Sequence, residues 1–172
     1  MAEKTKTGIE GFDSLIEGGI PESSITLITG TPGTGKTIFG LEFLYRGALM
    51  GEKGLYISFE EPKENLKLQA KQFGWDFDKF EREGKIVIDY IPSRTITNSV
   101  LEAIVPAILK DDIKRVVIDS VSTLALSIPT IHTKVTEVTD FTVKRFIYNF
   151  VEELRQVKTA TILVIGQSNT DK

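Results

Sequence analysis

Five apolar runs of strand length divide this chain, and each interval between them carries a helical pattern. The runs cover residues 25–29, 54–59, 85–90, 115–120 and 161–166. The helical patterns cover residues 36–50, 63–73 with 76–82, 97–110, and 137–158. This alternation predicts a single α/β domain over residues 1–172, with a mainly parallel sheet and right-handed crossovers.

Three stretches depart from the regular pattern. Residues 11–16 predict a short helix, followed by a glycine turn that ends at Pro21. Pro106 interrupts the helical stretch at residues 97–110 and predicts a kink or bulge there, because proline lacks an N–H and clashes with the preceding turn. We expect residues 121–136 to be less regular, because they contain Pro129 and several Ser and Thr residues.

The glycine-rich turn after the first run carries the strongest chemical signal. Gly30, Gly35, Lys36 and Thr37 match the G-x-x-x-x-G-K-S/T phosphate-binding pattern without a mismatch. A strand before this turn and a helix after it would direct backbone N–H groups at a polyphosphate. The residues predicted to bind the nucleotide are Thr31, Pro32, Gly33, Thr34, Gly35, Lys36, Thr37, Ile38 and Gln167.

Polar side chains follow four of the five runs, and parallel strands bring such ends to one edge of a sheet. Asp119 ends the fourth run, and with Thr37 it is predicted to hold Mg²⁺, while Lys36 contacts the β- and γ-phosphates. Glu60 and Glu61 end the second run, and both are candidate catalytic residues together with Lys36. Glu60 is the predicted water-orienting base, whereas continued strand geometry would point Glu61 elsewhere.

Several of these residues also have plainer interpretations, which the sequence leaves open. Asp119 can be a helix cap, and the two glutamates can be solvated carboxylates at a helix start. Ser120 can bond the Mg²⁺ shell or cap the next segment. Gln167 can sense the γ-phosphate or be a polar loop residue, and His132 is expected to be a surface or turn residue.

Composition narrows the class of protein. The chain is 41% hydrophobic and 26% charged, which suits one domain with a full core. It has no cysteine and a single histidine, which excludes thiolate metal sites and argues against a histidine-based one. The net charge of -3 gives no overall attraction to DNA. No apolar run is long enough to span a membrane and residues 1–6 have no signal-peptide core, so we expect a cytoplasmic protein.

Five segments, in order, resemble the KaiC-like branch of the RecA superfamily of ATPases, especially its archaeal RadA/Rad55-like members. They are residues 7–13, 18–21, 30–37, 58–62 and 117–120. The resemblance implies a three-layer RecA-type P-loop core with strand order 5-1-4-3-2, the ligands ATP and Mg²⁺, and a homo-oligomer, usually a hexameric ring with ATP between subunits. It also implies that the family's tandem glutamates match Glu60 and Glu61.

The resemblance covers the first part of a family domain. Family domains continue past the fifth strand with antiparallel strands, whose basic residues reach the γ-phosphate of the next subunit, whereas this chain ends at Lys172. We therefore expect slow hydrolysis unless such a basic group is supplied. Nothing in the sequence matches the phosphorylated Ser/Thr pair of the clock protein, so the resemblance does not imply autokinase activity.

Three functional hypotheses follow. The first is Mg²⁺-dependent ATP binding and slow hydrolysis by an ATPase that assembles as a ring. The second is a regulatory or assembly module in which nucleotide occupancy, not turnover, is the output. The third is a DNA-repair accessory protein, which the overall charge does not support.

Overall fold

Each apolar run forms a strand of one parallel sheet in the structure, a computed structural model that describes residues 3–127 and 140–168. In chain order the strands are β1 (Lys4–Thr5), β2 (Ile20–Pro21), β3 (Ile25–Gly30), β4 (Gly54–Ser58), β5 (Ile86–Tyr90), β6 (Arg115–Asp119) and β7 (Thr161–Gln167). β1 and β2 form a small antiparallel ribbon that the sequence did not predict. The other five strands form the predicted sheet.

Helices follow the strands as the periodicity predicts. They are α1 (Phe12–Leu15), α2 (Lys36–Leu49), α3 (Lys63–Gln72), α4 (Phe77–Arg82), α5 (Asn98–Glu102), α6 (Ile104–Lys110), α7 (Val121–Leu126) and α8 (Asp140–Leu154), with a 3₁₀ turn at Ser93–Thr95. The break between α5 and α6 falls three residues before Pro106, as expected of a proline that cannot bond to the preceding turn.

Two hydrophobic clusters cover the two faces of the sheet. One packs α2, α3 and α4 against the face that bears Tyr56 and Val117. The other packs α6, α7 and α8 against the opposite face, which bears Val116 and Ile118. Neighbouring residues of β6 therefore point into different cores, as a central strand of a three-layer fold requires. The predicted three-layer α/β class is confirmed.

The strand order implied by the resemblance is wrong. The sheet runs β3-β7-β6-β4-β5, which is 1-5-4-2-3 when the five strands are numbered along the chain, and not 5-1-4-3-2. The exposed large apolar side chains of this sheet lie on its two edge strands. They are Leu27 in β3, which is 61% exposed, and Val87 in β5, which is 45% exposed. Polar residues interrupt both of these runs, Thr26 and Thr29 in β3 and Asp89 in β5, which suits strands with a single neighbour.

The segment after β6 also differs from the prediction. Its first six residues form α7, because Ser120 caps them by accepting a hydrogen bond from the Thr123 N–H at 3.2 Å. Residues 128–136 of the segment expected to be irregular, His132 among them, lie outside the described residues. The last helix is described from Asp140 and ends at Leu154, a turn earlier than its pattern predicts.

Two polar clusters hold the N-terminal segment, the first within the segment and the second between the segment and the sheet. The Asp13 carboxylate accepts hydrogen bonds from the Thr7 N–H at 2.9 Å, the Thr7 hydroxyl at 2.6 Å and the Gly8 N–H at 3.1 Å. The fully buried guanidinium of Arg115 donates to the Thr7 carbonyl at 3.2 Å and to the Lys6 carbonyl at 2.6 Å. The first of the segments that resemble the family therefore anchors the N-terminus to the sheet.

None of the helices in the described ranges has the length and apolar character that a bilayer crossing requires.

Candidate nucleotide-binding site

The glycine-rich loop leaves β3 at Gly30 and enters α2 at Lys36. Gly33 and Gly35 adopt φ angles of 81° and 83°, which side chains disfavour. In the part of the chain that the structure describes, the backbone N–H groups from Gly33 to Ile38 donate no hydrogen bond. A run of free N–H groups at the start of a fourteen-residue helix is suited to an anion such as a phosphate.

The Lys36 side chain folds back over the loop. Its ammonium donates to the Gly30 carbonyl at 2.9 Å and to the Thr31 carbonyl at 2.8 Å. The Thr34 hydroxyl closes the same turn by donating to the Thr31 carbonyl at 2.8 Å. The Lys36 ammonium therefore lies inside the loop. The carbonyl oxygens that it contacts are neutral, and it can exchange them for a phosphate oxygen.

Three side chains from three elements meet beside this loop. The Asp119 carboxylate, at the end of β6, is almost fully buried. Its Oδ2 accepts a hydrogen bond from the Thr37 hydroxyl at 2.8 Å and another from the Tyr56 hydroxyl at 2.7 Å. The two residues predicted to hold Mg²⁺ are thus in direct contact, and Tyr56 is a third member that the sequence analysis missed.

The order of the strands explains why Tyr56 reaches this carboxylate. β4 and β6 are direct neighbours, with Tyr56 opposite Val117 and Ser58 opposite Asp119. The polar signal was present in the sequence, since a tyrosine in an otherwise apolar buried strand needs a partner for its hydroxyl. Burial raises the pKa of Tyr56, and the charge and hydrogen bond of Asp119 raise it further, so the phenol keeps its proton.

The tandem glutamates have different surroundings. Glu60 is exposed, and its Oε2 accepts a hydrogen bond from the Ser120 hydroxyl at 3.3 Å, which connects it to the residue after Asp119. Glu61 turns towards α3, where its Oε2 accepts from the Asn65 amide at 3.1 Å. Its backbone is held by Ser58, whose hydroxyl accepts from the Glu61 N–H and donates to the Glu61 carbonyl.

The remaining predicted binding residues lie around the loop. Gln167 pairs with Gly30 across β7 and β3, and its N–H donates to the Ser122 hydroxyl at 2.9 Å. Its exposed side chain therefore starts next to the first residue of the loop. Pro32 is exposed, whereas Ile38 packs against the core beneath α2. Every nucleotide-binding residue predicted from the sequence thus lies on or directly beside the loop.

The donor set around Asp119 suits a cation that is shared with a ligand. The described residues contain no cluster of three or more His, Asp or Glu side chains placed to enclose a metal. Mg²⁺ is commonly held by one or two carboxylates and by substrate phosphates rather than by a cage of protein ligands. Thr37 and Asp119 match that arrangement, because they lie beside the N–H groups of the loop that are available to a phosphate.

Comparison with known proteins identifies related chains over nearly the whole length. Residues 5–172 match the family described as "ATPase: KaiC". A UPF0273 protein of Thermotoga maritima is 40% identical in an alignment of 145 positions, which covers 75% of this chain and 60% of that protein. A UPF0273 protein of Pyrococcus furiosus is 38% identical over 145 residues, with coverage of 75% and 59%. The resemblance to KaiC-like proteins is confirmed.

Longer and structurally characterised relatives agree with this result. A circadian clock oscillator protein KaiC of Prochlorococcus marinus is 33% identical in an alignment of 173 positions, which covers 95% of this chain and 32% of that protein. The crystal structure of a KaiC-like protein from Pyrococcus horikoshii matches with a TM-score of 0.81 and 35% identity, and covers 98% of this chain and 72% of that one. The chain spans about 60% of the length of its UPF0273 relatives.

Proposed function

The chain belongs to the KaiC family of ATPases, and we propose that it binds ATP with Mg²⁺ at the loop of residues 30–37 and hydrolyses it slowly. The observation that carries this proposal is the 2.8 Å hydrogen bond between Thr37 and Asp119. It joins a hydroxyl of the loop to a strand-end carboxylate 82 residues away, and these are the two kinds of group that hold Mg²⁺ in P-loop ATPases.

The loop itself would stabilise the negative charge of the triphosphate. The N–H groups from Gly33 to Ile38 are free to donate, and α2 adds the positive end of its dipole. Lys36 would exchange two neutral carbonyl acceptors for phosphate oxygens, and hydrogen bonds between two charged groups are about twice as strong as neutral ones. Bound Mg²⁺ would neutralise the charge that develops on the β- and γ-phosphates.

Glu60 is the better candidate for the residue that orients the attacking water. Its carboxylate is exposed at the sheet edge and is linked through Ser120 to the Asp119 end of β6. The Glu61 carboxylate instead bonds to Asn65 on α3, so we assign it no direct contact with the water. A general base in this position contributes on the order of 10²–10⁴ in rate.

We propose that turnover by this chain alone is slow and that subunits assemble with their sites at the contacts. Within the described residues, Lys36 is the one basic side chain with a hydrogen bond to the loop. In related phosphoryl-transfer proteins a further basic group supplied from outside is worth roughly 10³–10⁵ in rate. Similarity to a clock oscillator protein KaiC supports an assembly of several copies.

The test compares ATP binding and hydrolysis in three single variants. Lys36→Ala should weaken ATP binding by about 10- to 100-fold, the worth of one charge-assisted contact. Glu60→Gln should bind ATP normally and lose about 100-fold or more in hydrolysis. Glu64→Gln, the same change on the exposed start of α3, is the matched control and should resemble the wild type. Equal ATP affinity of Lys36→Ala and wild type would refute this site.

A second function, in which occupancy rather than turnover is the output, makes a different prediction for Glu60→Gln. The mass of the particle is measured with and without Mg-ATP for the wild type and this variant. If assembly depends on nucleotide and survives the loss of hydrolysis, the chain is an occupancy-controlled module. If the Glu60→Gln variant no longer assembles in the presence of Mg-ATP, and any activity that depends on assembly is lost with it, turnover is the output.

A further inference from the structure

The Tyr56 hydroxyl lies inside the protein, directly behind the proposed Mg²⁺ site. The side chain is fully buried in the middle of β4, and its hydroxyl donates to Asp119 Oδ2 at 2.7 Å. The Thr37 hydroxyl approaches the same oxygen at 2.8 Å. One carboxylate oxygen therefore receives a donor from the phosphate loop and a second donor from the core.

The packing of α2 fixes the position of the Tyr56 ring. Gly40 faces the sheet, and a β-carbon built there would lie 3.4 Å from Tyr56 Cε2, 2.9 Å from Val117 Cγ1 and 3.3 Å from Ile165 Cδ1. The absence of a side chain lets the helix lie close over the ring. Because the ring is enclosed between β4 and α2, its hydroxyl is held against Asp119.

The Thr37 and Tyr56 hydroxyl groups can make different contacts when a cation binds beside Asp119. A threonine hydroxyl has lone pairs as well as a proton, so Thr37 can serve a cation and Asp119 together. The Tyr56 phenol is enclosed by the core and can only keep donating to Asp119. Among the described residues, no hydrogen bond is made to Asp119 Oδ1, so this oxygen retains its full acceptor capacity for a hydrated cation.

We propose that Tyr56 is a positioning residue of this site, whose hydroxyl holds the Asp119 carboxylate in the orientation that accepts a hydrated Mg²⁺. The inference rests on the proposed function, because it requires an Mg-ATP site at Asp119. Groups that orient a metal ligand from behind typically change metal affinity or activity by about 10- to 100-fold when they are removed.

Tyr56→Phe removes the hydroxyl and keeps the ring. ATP binding is measured in EDTA and across a Mg²⁺ titration. We expect the Mg²⁺ midpoint to rise by about 10-fold, and ATP affinity in EDTA to stay within about 2-fold of wild type, since the loop does not need Tyr56. Tyr45→Phe is the control, because the Tyr45 hydroxyl has no hydrogen bond in the described part of the chain and its ring packs on Trp75.

An unchanged Mg²⁺ midpoint in Tyr56→Phe, in a wild type that does bind Mg-ATP, overturns this inference and leaves the proposed function standing. An equal loss of ATP affinity with and without Mg²⁺ also overturns it, because that pattern indicates general damage to the fold. A wild type that binds no ATP under either condition refutes the proposed function itself, and the role of Tyr56 with it.

A double-mutant cycle tests whether Tyr56 acts through Asp119. Asp119→Asn should weaken Mg-ATP binding by itself, and adding Tyr56→Phe should then change the affinity by less than about 2-fold, because the partner is already altered. A full further 10-fold loss in the double variant would show that Tyr56 acts by another route, and would overturn the assignment.

Discussion

Replacement of Arg115 by methionine should destabilise the chain strongly, although Arg115 is far from the glycine-rich loop. The guanidinium is fully buried at the start of β6 and contacts the Phe43 ring from 4.5 Å. It donates to the carbonyls of Lys6, Thr7 and Phe43, and to Glu52 Oε2 at 2.5 Å. Methionine fills most of the space and provides none of these donors.

The expected loss of stability follows from the carbonyl oxygens that no longer receive a hydrogen bond. Each buried carbonyl without a donor costs about 1–3 kcal/mol. The Lys6 and Thr7 carbonyls can regain water if the N-terminal segment detaches, which limits the total. The Glu52 side chain is 36% exposed, so the loss of its ion pair adds at most about 1 kcal/mol. From the three carbonyls we therefore expect a loss of about 3–5 kcal/mol in the free energy of unfolding, or roughly 6–20 °C in Tm.

Denaturant titration measures the loss, and hydrogen exchange at residues 3–13 reports whether the N-terminal segment detaches. Arg155→Met is the matched control, because Arg155 is exposed and its contact with Glu152 at 3.1 Å is a surface ion pair worth about 0–1 kcal/mol. A loss below about 1 kcal/mol for Arg115→Met, similar to the control, would refute the view that this guanidinium holds the segment.

Two further changes test the packing of α2 and the anchor of the N-terminal segment. Gly40→Ala should cost about 1–3 kcal/mol in a denaturant titration, because a β-carbon there lies 2.9 Å from Val117 Cγ1; a loss below about 0.5 kcal/mol would show that α2 moves away freely. Asp13→Asn should cost about 1 kcal/mol at pH 7. Burial raises the pKa of Asp13, but the hydrogen bonds from Thr7 and Gly8 outweigh it and lower the pKa. Such a carboxylate stabilises the fold above its unfolded pKa and ceases to do so as the pH falls through its folded pKa, so the stability difference from wild type should shrink below about pH 4. A difference that stays constant from pH 7 to pH 3 would contradict this.

The position of the candidate site was predictable because it depends on two local patterns and one geometric rule. The loop pattern identifies Lys36 and Thr37, and an apolar run that ends in a carboxylate identifies Asp119. The carboxyl ends of parallel strands meet at one edge of the sheet whatever the order of the strands. Thr37 and Asp119 therefore met as predicted even though the predicted strand order was wrong.

The order of the strands was predicted wrongly, and it decides which side chains support the site. With β4 beside β6, Tyr56 lies behind Asp119 and Ser58 lies opposite it. With β7 beside β3, Gln167 starts next to Gly30. The predicted order also places β7 beside β3, but it places β5 rather than β4 beside β6, and so it would have put other residues behind Asp119. Polar interruptions such as Asp89 marked the edge strands, but no local pattern states which buried strands are neighbours.

The long-range partners of Arg115 and Tyr56 were also beyond prediction. Arg115 bonds to carbonyls 72, 108 and 109 residues away, and Tyr56 to a carboxylate 63 residues away. In a single sequence each is only a polar residue in an apolar run. Such a residue signals that a partner exists, because buried polar groups are almost always hydrogen-bonded, but it does not say which one.

Arg115 and Asp119, at the two ends of β6, both attach α2 to the central sheet. At one end of β6, Asp119 bonds to Thr37 in the first turn of α2. At the other end, Arg115 bonds to the Phe43 carbonyl, further along the same helix. Thr37 and Phe43 are about 9 Å apart along a helix, and Arg115 and Asp119 about 13 Å apart along a strand, so the long arginine side chain bridges the difference. The helix that presents the phosphate loop is thus held to β6 at two points, with Gly40 between them allowing close contact. Because the loop begins α2, its position relative to Asp119 depends on the anchor at Arg115 as well as on the residues that would touch a nucleotide.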